Sequence, residues 1–309
     1  MNVLVTGGAG FIGSHMAKRH LADGHRVVIV DDLSSGRRER LPEAARFVQA
    51  DIAAADVEPL LREEKIGFVS HHAAQIDLRH SVADPIGDAR TNVIGSLMLF
   101  EAMRRAGVRH VLFSSTGGAI YGEPEGGRPA PESHPTNPVS PYGCAKLSIE
   151  KYMHYYRVVH GFQTQVFRYG NVYGPWQDGT GEAGVVAIFS EAMLGNRPLK
   201  INGDGEQTRD YVFVDDLVEA AARAAKSDKS GTWNVGTGVE TSVNRLFALL
   251  ATEYGYSATP PHVPAPAGEQ KRSVLDPALV RRDFGLPAWT PLPEGLKKTA
   301  EFFRSRRKH

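Results

Sequence analysis

Short runs of β-branched and other apolar residues punctuate the first half of the chain, each closed by Gly, Pro or polar residues. They predict strands over residues 3–6, 26–31, 45–50, 68–71, 110–114 and 163–168. Between them, apolar positions recur at helical spacing over 11–22, 57–63, 84–105 and 141–159. Strands and helices that alternate in this way predict an α/β fold with a doubly wound parallel sheet, because parallel neighbours need a crossover element to connect them. Beyond about residue 170 the texture changes to longer loops rich in Gly and Pro, such as 174–184 and 259–268, which predicts a second, smaller lobe. Two later stretches, 211–214 running into a helical 215–226, and 232–235, read as further sheet elements. The lobes are therefore expected to exchange chain segments, with 1–170 plus elements from about 209–237 in the first and 171–309 mainly in the second.

Composition narrows the function classes. The 309 residues are 41% hydrophobic and 23% charged, with a mean hydropathy of -0.29, values of an ordinary globular protein rather than a disordered or membrane-filled one. Lys+Arg 36 against Asp+Glu 35 leaves a net charge of +1, so no overall field draws the chain to nucleic acid or an anionic membrane, and an acidic ligand needs a local site. The basic residues 304–309 read as a solvated helix end. One cysteine, Cys144, cannot close an internal disulfide, and the opening residues carry neither a basic stretch nor a long apolar run, which together suggest a cytoplasmic protein.

The chemistry begins with Gly7, Gly8, Gly10 and Gly13, directly after the first strand and at the start of a helix. A pyrophosphate cradle needs a tight strand-to-helix turn, close backbone approach and helix amides aimed at the anion, and this placement supplies all three. Asp31 closes the second strand at the distance expected of a ribose-binding acid. The pattern is that of a Rossmann dinucleotide site, and a carboxylate there favours NAD over NADP because it repels a 2′-phosphate. Arg37 and Arg38 are expected to flank the adenine pocket or face solvent. Tyr142 and Lys146, four residues apart just after Pro141, share one helix face. A phenol of ordinary pKa about 10 needs a neighbouring cation to act as a base near neutrality. Ser114, Ser115 and Thr116 end a strand at the carboxyl edge, where open α/β sheets bind ligands.

The segments 6–13, 31–36, 114–122, 142–146 and 168–175, continued by 184–189 and 202–211, resemble the extended short-chain dehydrogenase/reductase family over nearly the whole chain, and within it the 4-epimerases of UDP-sugars. The resemblance implies a homodimeric isomerase with tightly bound NAD, in which Tyr142 is the base, Lys146 lowers its pKa and Thr116 orients the sugar. It places Gly7, Gly10, Phe11, Ile12, Gly13, Asp31, Asp32, Ser35 and Gly36 at the cofactor, with Asp51 and Ile52 at the adenine. His72, Ala73, Ala74, Gln75, Asn92, Ser114, Ser115 and Tyr169 would line the rest of it, with Tyr142 and Lys146. Asn171, Gly184, Val185, Lys200, Asn202, Arg209 and Arg272 would surround the UDP group, with Thr116 and Tyr142 at the sugar. A dimer is expected through the helices 84–105 and 141–159.

Two departures from that pattern stand out. Pro266 occupies the position of a usual diphosphate arginine, leaving Lys271, Arg272 or Arg209 to supply the charge, and the position that limits the sugar's C2 substituent falls near Ser273, which implies a roomy pocket. Gly117 and Gly118 follow Thr116 where the dehydratase branch carries Asp-Glu, so elimination lacks its acid and base, and a redox-neutral inversion of C4 in a UDP-hexose remains. UDP-N-acetylglucosamine and UDP-glucuronate stay open as alternative substrates, as does a non-catalytic NAD-binding regulator on the same scaffold. His71 and His72 have no partners at metal-ligand spacing, so no metal is expected, and Cys144 is assigned no role.

Overall fold

The strands β1 (Asn2–Thr6), β2 (Arg26–Asp31), β3 (Arg46–Gln49), β4 (Phe68–His71), β5 (His110–Thr116) and β6 (Gln163–Tyr169) form where the apolar runs place them, within two residues at each end. A computed structural model describes residues 1–123, 127–179, 184–265 and 270–307. In it these six strands and Gly231–Val235 make a seven-stranded sheet with every pair parallel, in the order Gly231–Val235, β6, β5, β4, β1, β2, β3. Strand alternation divides the core between the two faces. Val3 and Val5 pack with Met16 of the helix Phe11–Ala22 and Leu217 of the helix Val214–Ala225, whereas Leu4 packs with Leu99 of Gly95–Ala106 and Ile149 of Pro141–His160. Burial on both faces is why β1 and β2 read as almost unbroken apolar runs. The order reverses beside β1, and a crevice at the carboxyl ends follows from connections that leave in opposite directions there.

The structure adds detail to two expected regions. The helix expected over 84–105 forms without a break as Pro85–Ala89, a π turn at Arg90–Ile94, and Gly95–Ala106. The wide turn carries the buried Asn92, whose amide is held by Gln75 and Asp88. Of the two later stretches, only Gly231–Val235 extends the large sheet, beside β6. Thr208–Phe213 carries a smaller sheet, antiparallel to Glu240–Ser242 and parallel to Arg272–Ser273 and Asn171–Tyr173. Among the described residues no helix is long and apolar enough to cross a membrane.

Candidate active site

The turn after β1 is built for close approach. Gly7 has φ +67°, and a Cβ there would lie 2.6 Å from the Ala73 nitrogen, while a Cβ on Gly13 would lie 2.1 Å from the Gly7 oxygen. Only glycine closes this turn against both the end of β4 and its own helix. Gly10 caps the helix Phe11–Ala22 with backbone alone and no side chain accepts from its first amides, so these amides and the positive helix end are available to an anion. Phe11 and Ile12, at the head of that helix, pack on the core. Asp31 is buried at the end of β2, its Oδ2 accepting from Ala9 N at 2.9 Å and its Oδ1 from Leu33 N at 2.8 Å. Burial pushes its pKa up despite those two bonds, and each oxygen keeps a lone pair for a further donor. Asp32 is exposed and accepts from Ser34, and beyond Ser35 and Gly36 the chain folds back, Arg37 N donating to Ala9 O at 2.9 Å. Arg37 pairs with Asp178 at 2.7 Å, and Arg38 bonds Gln49 and lies over the Phe47 ring. Asp51 caps the turn after β3, and Ile52 is buried beside Gly95 in the core.

At the carboxyl edge the polar groups are bonded to one another. His71 is held by Thr6 Oγ1 at 2.7 Å and Ser96 Oγ at 2.9 Å. His72 sits between Ser70 Oγ at 2.7 Å and Ser114 Oγ at 2.5 Å, and Ser114 also donates to the Tyr169 hydroxyl at 3.3 Å. Burial holds His71 well below its ordinary pKa and His72 down to about 3, so both rings are neutral. Among the described residues no three His, Cys, Asp or Glu side chains gather where they could hold a metal.

Alternation along β5 turns the Ser115 hydroxyl away from Ser114. It donates to Glu150 at 2.6 Å, in a buried pair of Glu150 with Arg168 at 2.5 Å that extends through Tyr121 to Asn234. That bond commits the hydroxyl's proton within the protein. Thr116 ends β5 with its Oγ1 accepting from Ala119 N at 3.2 Å, which leaves its proton to donate.

The helix Pro141–His160 starts on the Ser140 cap with Pro141 in its first turn, which presents Tyr142 and Lys146 on one face. Lys146 is buried, with Nζ donating to Ser114 O at 3.0 Å and 5.7 Å from the Tyr142 ring centroid. Burial lowers the ammonium to about 8, against the opposing fields of Asp88 and Glu150. The Tyr142 phenol is pushed up by burial and then by Asp88. With the protein groups alone the phenol thus lies above its ordinary value, and the expected lowering by Lys146 does not enter among its causes.

Ala73 and Ala74 lead from β4 to Gln75, whose N–H donates to Asn92 Oδ1 and whose carbonyl accepts from Asn92 Nδ2, both at 3.0 Å. Asn92 thus fixes the backbone of this stretch, a part played within the protein that its sequence position did not reveal.

Next to the smaller sheet is a cavity of about 840 Å³. Asn171, Gly184, Val185, Lys200, Asn202 and Arg209 all line it. Arg79, Arg197, Gln207 and Tyr211 do too, and none of them was among the expected site residues. Four cationic side chains and, among the described residues, no carboxylate surround a floor that includes Val185, Ile188 and Phe189. Such a lining suits an anion joined to a flat ring. Arg272 is not brought to it. Ser273 pairs with Arg209 and Arg272 with Thr208 across the sheet, so alternation puts Arg272 on the other face, where Nε donates to Glu240 at 2.8 Å and Nη1 to Arg128 O at 3.1 Å. Lys271 uses its backbone N–H on Glu123, and Pro266 lies outside the described residues. Ser273 is buried beside Gly118.

A glycine turn on a helix N-terminus, with a Tyr and a Lys four residues apart at the carboxyl edge, defines a dinucleotide-dependent class of α/β proteins. The model of the NAD dependent epimerase/dehydratase family matches residues 3–236, and the chain belongs to that family. It is 49% identical to a UDP-glucose 4-epimerase of Mycolicibacterium smegmatis, over 99% of each chain. Among solved structures it resembles the UDP-glucose 4-epimerase of Thermotoga maritima with UDP-glucose, with TM-score 0.97, 45% identity and coverage of 99% of this chain and 100% of that one. It also resembles the UDP-glucose 4-epimerase of Thermus thermophilus in complex with NAD, with TM-score 0.93, 42% identity and coverage of 98% and 99%.

Proposed function

We propose that the protein is an NAD-dependent isomerase that inverts C4 of a UDP-hexose, interconverting UDP-galactose and UDP-glucose through a transient 4-keto sugar. The observation that carries this reading is the cavity with four cations and, among the described residues, no carboxylate in its lining, combined with the Tyr142–Lys146 pair at the carboxyl edge. The uncapped helix amides after Gly10 and the remaining lone pairs of Asp31 fit a pyrophosphate and a ribose, so these residues would hold NAD. Bound NAD would supply the chemistry of accepting a hydride from C4 of the sugar and donating it back. Tyr142 takes the O4 proton as C4 becomes a carbonyl and gives it back in the reverse step. Lys146 supplies the positive charge that favours the phenolate, and Thr116 donates its free proton to a sugar oxygen. Arg209, with Lys200 and Asn202, holds the UDP group while the keto sugar turns over.

In this reading, residues 1–170 with elements from 209–237 serve the cofactor and 171–309 mainly the UDP-sugar. The exposed Tyr152, Tyr155 and Val159, one helical stripe, and the exposed Ile86 and Ile94 support pairing of two copies into a homodimer. The exposed thiol of Cys144 is compatible with a cytoplasmic location. Ser273 beside Gly118 favours tolerance of a larger C2 substituent, so UDP-N-acetylglucosamine is the second substrate to assay. Incubation with UDP-galactose and detection of UDP-glucose, without added cofactor, tests the proposal. NAD should be found in the supernatant of the denatured protein, and NADP alone would sink it.

A further inference from the structure

Asp88 is a charged group that no sequence motif singles out and the reaction above does not use. Its side chain is fully buried on the short helix Pro85–Ala89, which packs against Pro141–His160. Oδ1 accepts from Asn92 Nδ2 at 2.9 Å and from Gln75 Nε2 at 3.0 Å, whereas Oδ2 has no hydrogen-bond partner among the described residues. A buried carboxylate oxygen with no partner in the protein is costly, and such groups call for an explanation. One oxygen thus secures both side chains that fix the stretch after β4, and burial raises the pKa of the carboxyl against the bonds from Gln75 and Asn92.

We infer that Asp88 is a positioning residue that locks Gln75 and Asn92 at the carboxyl edge while its bare oxygen sets the field at the Tyr142–Lys146 pair. The inference rests on Tyr142 and Lys146 being the proton-transfer pair. Of the charges around the phenol, that of Asp88 acts on it directly and opposes its ionisation; the same charge helps to keep Lys146 protonated against burial. Glu150 also acts on Lys146 but is paired with Arg168, His71 and His72 are held neutral by burial, and Lys146 is the cation that acts first on Asp88 itself. Asp88 therefore makes the base harder to ionise and its cation harder to lose.

The test is the pH profile of kcat for UDP-galactose conversion by Asp88→Asn, purified with its own cofactor. The amide keeps the shape and an acceptor for Asn92. Loss of the charge lets both Tyr142 and Lys146 titrate lower, so both limbs of the profile should move toward acid by about one pH unit, the scale set by one nearby charge. Asp88→Ser offers the same readout with a smaller acceptor if the amide variant does not fold. A purely structural role lowers kcat at every pH without moving the limbs, and profiles that superimpose on the parental one after scaling would overturn the inference. Tyr142→Phe run alongside separates the two levels. If it is inactive while the Asp88 profiles stay in place, only the role of Asp88 falls; if it turns over at the parental rate, the proton-transfer pair falls with it.

Discussion

The carboxyl edge and the 840 Å³ cavity are built on opposite plans. At the edge, Ser114 is bonded to both His72 and Lys146, and His71 is held between Thr6 and Ser96, so each side chain has one orientation. Around the cavity, Arg79, then Arg197 with Lys200, and then Arg209 come from three different segments of the chain. The contrast separates chemistry from recognition. A group that moves a proton has to be held in one geometry, while charge around a diphosphate can be shared among several flexible side chains. Substitutions at the edge should therefore act all or none, and those in the cavity by degrees.

The sharpest break of that contrast is Tyr142→Phe. It keeps the ring but removes the hydroxyl, and kcat should fall by about 10²–10⁴ while the Kd of UDP changes little, as steady-state kinetics and calorimetry will show. Lys146→Met should also cripple turnover, but some activity should return as pH rises toward the phenol's own titration, which Tyr142→Phe cannot show. Arg168→Met leaves Glu150 uncompensated in the core and should cost about 3–5 kcal/mol of stability, read as a lower Tm, with less effect on the KM of the surviving folded enzyme. In the cavity, Arg209→Gln should raise KM for the UDP-sugar about 10- to 100-fold, from the loss of about 1.5–3 kcal/mol of charged hydrogen bonding, with kcat nearly unchanged. Arg79→Gln, at an exposed position, should do less. In the parental enzyme, activity should decline as pH climbs through about 8, because Lys146, lowered to about 8, loses the charge that favours phenolate.

How far the sequence was legible follows the same division. β1, β2 and the glycine turn were readable because an all-buried strand and a positive-φ turn each demand a narrow choice of residues. Tyr142 and Lys146 were readable because helical spacing alone puts them on one face. The π turn at Arg90–Ile94 was not, since one extra residue in a turn depends on contacts of Asn92 with residues remote in sequence. Arg272 was misplaced for a related reason. Whether it or Arg209 faces the cavity depends on the register of Arg272–Ser273 against Thr208–Phe213, a tertiary fact that no local pattern records. Arg79 came to the cavity unannounced, from a short helix far from the other cations in the chain.

The outermost strand of the large sheet, Gly231–Val235, reaches β6 only after the chain has passed through the smaller sheet. Gln165, wholly buried on β6, also waits for that return, because its amide donates to Ala224 O at 2.7 Å and Lys229 O at 3.1 Å. During synthesis, β6 therefore leaves the ribosome with one edge bare. At the usual pace of elongation, residues 170–235 take roughly 3–13 s to follow. For that interval the nascent chain offers a ready template for a strand from another molecule, so the yield of folded protein depends on translation speed and chaperone supply as well as on the stability of the finished fold.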